Sequence, residues 1–148
     1  MALIVMKFGG SSVADTQRLY RVAERITNTY KEGNDVVVVL SAQGDTTDEL
    51  IAKAEEVNLN GSKREMDMLL ACGEQMSVAL EAMAIQRLGC PVVSLNAWQV
   101  GIHTDSRYSG ARIRRVDASR IRMELDRKRI VLVTGFQGIS PDGDLTTL

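Results

Sequence analysis

The chain has 148 residues, with a single histidine, His103, and two cysteines, Cys72 and Cys90. One histidine leaves a Ser-His-Asp triad or a histidine-based metal centre little to build on. The cysteines form no C-x-x-C pair and lie apart in apolar stretches, which reads as two small buried hydrophobes in a reducing compartment. Net charge is −1, so the electrostatics favour neither nucleic acid nor an anionic membrane as a partner. No apolar run approaches the length of a membrane span. The N-terminus shows neither the basic flank nor the small-residue cleavage site of a signal peptide. A cytoplasmic location is the expectation. Repeats, low-complexity tracts and interior linkers are absent, and the length is one domain's worth of chain. Of the short phosphate-binding signatures, neither G-x-x-x-x-G-K-[ST] nor G-x-G-x-x-G occurs.

What the chain does have is apolar runs that alternate with helical periodicity. Ile4-Val5-Met6-Lys7-Phe8-Gly9-Gly10-Ser11-Ser12 reads as a buried strand, a tight turn and the approach to a helix. Glycines let a backbone approach a ligand closely. A helix N-terminus favours an anion, and a lysine at the strand end adds a point charge. From spacing alone, phosphate binding and a plain strand–turn–helix joint with a solvated lysine stand level.

Asp15 is placed to cap a helix carrying Leu19, Val22, Ala23, Ile26 and Tyr30, which Gly33-Asn34-Asp35 stops. Val36 to Leu40 reads as a second buried strand, leading into the hydroxyl-rich loop Ser41 to Asp48. A helix is expected from about Asp48 to Asn58, and a longer one from about Lys63 to Leu88. Gly73 inside the latter costs about 1 kcal/mol relative to alanine, so it marks a break or a close approach. Met66, Met68, Met76 and Met83 read as core filler. Strands follow at Val92 to Leu95 and, with Trp98 partly buried, at Ala97 to Thr104. Asp105 to Gly110 is a polar loop, and Ala111 to Val116 a short edge strand. A helix over Ala118 to Asp126 runs into Arg127-Lys128-Arg129, read as a solvated turn. Ile130 to Thr134 is another buried strand, and Pro141-Asp142-Gly143-Asp144 a hairpin turn.

This alternation predicts an α/β fold with a mostly parallel sheet and helices on both faces. Ligands bind such sheets beyond the carboxyl ends of the strands. Lys7 to Ser12, Ser41 to Asp48 and Gly135 to Gly138 all leave such ends, and their shared glycines and hydroxyls favour a phosphate or small anion.

Several segments together resemble the aspartate kinases, a branch of the amino-acid kinases. Lys7-Phe8-Gly9-Gly10-Ser11-Ser12-Val13 is similar to their K-F-G-G-[ST]-S-V signature. Val38-Val39-Leu40-Ser41-Ala42 with Thr47-Asp48-Glu49-Leu50 resembles their second loop. Ala71-Cys72-Gly73-Glu74-Gln75 resembles S-x-G-E, with Ala71-Cys72 a mild departure. Val133 to Gly138 and Leu145 to Leu148 resemble the run into G-R-G-G-S-D.

The resemblance implies the N-terminal portion, residues 1–148, of an amino-acid kinase domain: a three-layer α/β/α sandwich with a mostly parallel sheet. The implied activity is ATP-dependent phosphorylation of the side-chain carboxylate of L-aspartate to 4-phospho-L-aspartate, the first step toward lysine, threonine and methionine. The implied cofactors are ATP and Mg²⁺, and a homo-oligomer is expected. Lys7, Phe8, Gly9 and Gly10 would contact ATP phosphates, Lys7 also acting catalytically on the γ-phosphoryl group. Ser41, Thr47 and Glu74 would contact aspartate. The arginine of G-R-G-G-S-D, much of the adenosine and Mg²⁺ site and the ACT regulatory domains would lie in sequence not included here, so little turnover is expected of this polypeptide alone. Without the resemblance, Glu74 reads as a solvated or helix-paired carboxylate, and Ser41 and Thr47 as helix caps. The alternatives in function are a non-catalytic nucleotide- or anion-binding or oligomerising module, or another amino-acid kinase.

Overall fold

The computed structural model describes all residues, 1–148. In chain order the elements are β1 (Leu3–Phe8), a 3₁₀ turn (Gly10–Val13), α1 (Thr16–Lys31), β2 (Asp35–Leu40), α2 (Thr46–Val57), α3 (Lys63–Arg87) and β3 (Val92–Leu95). Then come α4 (Ala97–Val100), β4 (Ile102–Thr104), β5 (Ile113–Val116), α5 (Ser119–Asp126), β6 (Ile130–Thr134), β7 (Gln137–Ile139) and β8 (Leu145–Thr147).

The apolar runs form the parallel sheet that their composition predicts, in the order β1-β2-β6-β3. Because strand side chains alternate between faces, β2, β3 and β6 feed two cores, whereas β1, at the sheet edge, is not the buried strand expected: Met6 and Phe8 pack on the first core while Leu3 and Val5 are exposed. Val36, Val38, Leu40, Ile130 and Leu132 pack beneath α1 and α3 with Leu19, Val22, Ile26, Val78 and Ile85. Val37, Val131, Val133 and Leu95 pack on the opposite face against Val100 of α4 and Leu125 of α5. The three expected layers are therefore present. The Asp15 side chain accepts from the Arg18 N–H at 2.8 Å and starts α1 as its cap.

A second sheet, β5-β4-β7-β8, is not apparent from hydrophobic patterning. Its strands are three or four residues long, too short for a period of two to register. Pro141 to Gly143 turns between β7 and β8, as read from the sequence.

Local structure departs from expectation in several places. The stretch from Ala97 to Thr104 is not one strand. Asn96 and Gln99 form a capping box that starts α4, and Gly101, at φ 93°, ends it in the left-handed conformation before β4 begins. Trp98 is 64% exposed. Cys72 is exposed while Cys90 is buried. Met68, Met76 and Met83 are exposed, not core filler. The Arg127–Arg129 segment is no simple solvated turn: Arg127, Arg129 and Arg120 surround the buried Glu124 at 3.7, 2.8 and 3.0 Å. Burial alone would raise the Glu124 pKa, and the arginines bring it below the ordinary value. By length and composition α3 is long and apolar enough to cross a bilayer, which the residue-by-residue reading missed, yet more than half of its apolar window is buried in the fold.

Candidate functional site

Parallel strands bring their carboxyl ends to one edge of the sheet. There the three predicted loops are stitched together by backbone hydrogen bonds. Ser41 N–H donates to Phe8 O at 3.2 Å, Gly44 N–H to Gly10 O at 2.9 Å, and Gly135 N–H to Leu40 O at 2.9 Å. The Gln43 side chain adds a donor to Val13 O at 2.9 Å. A Cβ at Gly10 would lie 2.7 Å from Ala42 O, so only glycine lets the first two loops touch. Gly9, by contrast, has no atom within 4 Å of its would-be Cβ and faces open space.

α3 crosses this junction without a break. Gly73 permits the approach: a Cβ there would lie 2.9 Å from Ala42 Cβ and 3.5 Å from Thr46 Cγ2. The next residue, Glu74, is 2% exposed, and its Oε2 has no hydrogen-bond partner. The carboxylate is thus not the solvated group that its sequence context alone allows. Burial pushes its pKa up, and the backbone N–H groups of Glu74 itself and Ala42 pull partly the other way. An unpaired buried carboxylate is costly, so a cation seated against it would be strongly favoured.

Phe8, Gly10 and Ser41 therefore meet at one junction, and Glu74 reaches it through Ala42. Lys7 is exposed and takes part in none of the ion pairs of the fold. Thr47 lies in the first turn of α2, which begins two residues earlier than expected, and is half-buried. Neither the Ser41 nor the Thr47 hydroxyl accepts a capping hydrogen bond from α2, whose N-terminus has no side-chain cap bond, so both hydroxyls are available.

Sequence reading missed the arginines beside the first loop. Arg18, Arg21 and Arg25 line one side of an open cleft with Ser11 and Ser12. Arg18 donates to Ser11 O at 2.8 Å, and the Arg25 guanidinium lies 5.8 Å from the Phe8 ring centre. Their i, i+3, i+7 spacing on α1 was the available signal. Gln137 was missed too: fully buried, it donates to Ala71 O at 2.6 Å and accepts from Ala97 N–H and the Thr134 hydroxyl. A larger cleft, of about 770 Å³, opens between α4, α5 and the β7–β8 turn and contains none of the predicted site residues. We place the site at the loop junction, because the junction has the closely fitted glycines and the unpaired carboxylate.

The junction thus combines closely fitted glycine backbone at its rim with a buried carboxylate that has an unpaired oxygen. No group of three histidine, cysteine, aspartate or glutamate side chains is arranged to hold a metal ion.

The family model for the amino acid kinase family matches residues 2–148. The aspartokinase of Geobacillus stearothermophilus is 51% identical over 148 residues, covering all of this chain and 36% of the relative. That of Mycolicibacterium smegmatis is 54% identical over 149 residues, with 35% of the relative covered. The chain thus spans about a third of the length of the curated relatives it matches. A crystal structure of aspartate kinase from Synechocystis superposes with a TM-score of 0.77 at 41% identity, over 93% of this chain and 22% of that one. Escherichia coli aspartokinase III, in complex with aspartate and ADP, superposes at 0.79 over 100% of this chain and 43% of that one; at 23% identity this likeness concerns the fold. With the parallel sheet, the loop junction and a family match across the whole fold in agreement, the chain belongs to the amino acid kinase family and is similar to the aspartokinases throughout its length.

Proposed function

We propose that this chain supplies the phosphate-facing and aspartate-facing half of an ATP:L-aspartate 4-phosphotransferase. The observation that carries the reading is Glu74: a buried carboxylate with an unpaired oxygen, set where the first two loops meet. The relatives' name and the aspartate and ADP held by the E. coli neighbour support the choice of ligands.

In this reading Glu74 pairs with the substrate ammonium, and Ser41 and Thr47 position its carboxylates. Lys7 neutralises charge on the transferred phosphoryl group, and the backbone at Phe8, Gly9 and Gly10 wraps the phosphates. The acceptor carboxylate is already anionic at neutral pH, so no general base is required, in keeping with a chain that has one histidine. Mg²⁺ would supply further charge neutralisation on the phosphates. The product, 4-phospho-L-aspartate, would enter lysine, threonine and methionine synthesis. The chain spans about a third of the length of its curated relatives, and ligand binding without sustained turnover is the behaviour expected of this polypeptide.

Thermal unfolding with and without L-aspartate and MgATP tests this. A ligand that binds the folded state raises the midpoint according to its concentration over Kd. The expected result is a rise with L-aspartate that Glu74→Gln abolishes, and a rise with MgATP that Lys7→Ala reduces. A folded chain that responds to neither ligand overturns the reading. Steady aspartyl-phosphate formation by this chain alone overturns the half-site part of it.

A further inference from the structure

The larger cleft, between α4, α5 and the β7–β8 turn, shares no residue with the loop junction. The chain's only tryptophan and only histidine, Trp98 and His103, both line it. Its floor is built of buried groups: Ile139 is 7% exposed and Ser140 3%. The Ser140 Oγ accepts from the Asp144 N–H at 3.1 Å and keeps its own proton free for a further acceptor. Gly101 holds the cleft open between α4 and the end of β5. A Cβ there would lie 3.1 Å from Asp117 Cβ and 3.4 Å from His103 Nε2, on a backbone whose φ of 93° already favours glycine. At about 770 Å³ the space is that of a small-molecule site.

Charge is segregated toward this cleft. Residues 107–129 hold nine of the chain's 18 lysines and arginines but only three of its 19 aspartates and glutamates. An anion is therefore drawn to this side of a chain whose net charge is −1. Two of these arginines reach the cleft, and they differ. Arg120 is tied to Glu124 at 3.0 Å, whereas Arg115 enters none of the ion pairs of the fold. Asp117 lies two residues further on and is the only carboxylate lining the cleft. The Ser119 hydroxyl and N–H both donate to its Oδ1, at 2.6 and 3.0 Å. These bonds, with the charges of Arg115 and His103 nearby, hold the Asp117 carboxyl below the usual carboxylate range. Its Oδ2 is left as an open acceptor.

Three chemical demands meet here. Trp98 is 64% exposed, and an open indole with Met123 and Pro141 in the same cleft suits a flat ring, since every nucleobase can stack on an aromatic side chain. Arg115, a free planar fork, suits a phosphate held bidentately. Asp117 repels a bare phosphate or a dicarboxylate, and its open oxygen instead suits a hydroxyl donor. A ring, hydroxyls and a phosphate in one molecule describe a nucleoside phosphate. Inorganic phosphate lacks the first two, and a simple aromatic acid lacks the hydroxyls.

We infer that the cleft between α4 and α5 is a second ligand site of this chain, for a nucleoside monophosphate, with the base on Trp98, a sugar hydroxyl on Asp117 and the phosphate on Arg115. The inference does not rest on the catalytic reading, and no junction residue takes part in it. As the only tryptophan, Trp98 reports on this cleft directly. Adenosine and guanosine monophosphates, without added metal, should quench its fluorescence saturably, with excitation beyond the absorption of the bases. Adenosine and ribose 5-phosphate, each lacking one part, should bind at least about tenfold more weakly. Arg115→Ala should weaken the monophosphates about tenfold and leave adenosine as it was, and Arg115→Lys should recover only part of the loss. Trp98→Ala, followed by calorimetry, should weaken nucleotide and adenosine alike but not ribose 5-phosphate. Both residues are exposed, so the far-ultraviolet spectra of these variants should be unchanged. Lys7→Ala and Glu74→Gln, at the junction, should leave the quenching intact. An absence of saturable quenching overturns the inference, as does quenching that Lys7→Ala abolishes, since the nucleotide would then sit at the junction. Equal binding of inorganic phosphate or ribose 5-phosphate overturns the assignment of the ring, and an affinity indifferent to Arg115→Ala overturns that of the phosphate.

Discussion

Both carboxylate oxygens of Glu81 lie in the core without a donor, and burial raises the pKa to about 8. Between its ordinary value near 4.5 and about 8 the folded chain holds a proton that the unfolded chain has released. Stability therefore falls as pH rises through that window, by at most about 1.4 kcal/mol per unit, and levels off above it. Glu74 acts in the same direction. Glu124 and Asp144 have depressed pKa values, so what they contribute is lost only as pH falls through the acid range. Glu81→Gln should flatten the decline, leave stability at pH 4.5 nearly unchanged and raise it at pH 9. Urea unfolding at a series of pH values measures this, and an unchanged slope would refute the assignment. Sequence alone does not identify Glu81 as buried. Charged residues on a helix are ordinarily solvated, and what encloses this one is folded onto α3 from elsewhere in the chain.

Among the elements, α3 shows how far periodicity reaches. Its extent, Lys63–Arg87, agrees with the sequence reading to within a residue. Gly73 was legible as an anomaly, but its two explanations, a break and a close approach, could be separated only by seeing Ala42 against it. Helix propensity would reward Gly73→Ala by about 1 kcal/mol. The 2.9 Å contact with Ala42 Cβ should cancel that gain, and Gly73→Val should destabilise by about 1–3 kcal/mol. Denaturation midpoints of the two variants check the sign: a stabilised Gly73→Ala chain would show that the Ser41–Thr47 loop yields freely. α4 was misread because four residues are too few for a helical period, although its Asn96–Gln99 capping pair was visible in the sequence.

For the whole molecule, the docking of the second sheet onto α3 depends on Asp67. This buried carboxylate accepts from the backbone N–H and hydroxyl of Ser109 and from those of Thr147, at 2.8 to 3.2 Å. Asp67→Ala would leave these donors unpaired and should cost about 3 kcal/mol. Amide exchange should quicken at Ser109 and Thr147 while β2 and β6 stay protected. Uniform loss of protection would show that the two sheets unfold as one unit. The sequence by itself determined the parallel sheet, its two helical layers, the loops at the strand ends and the family, because apolar alternation, helical period and glycine turns are local properties. Tertiary structure alone decided that Glu74 and Glu81 are buried, that Met68, Met76 and Met83 of α3 face outward and that Asp67 holds Thr147, 80 residues away. Burial and pairing depend on which surfaces meet, and those surfaces come from distant parts of the chain.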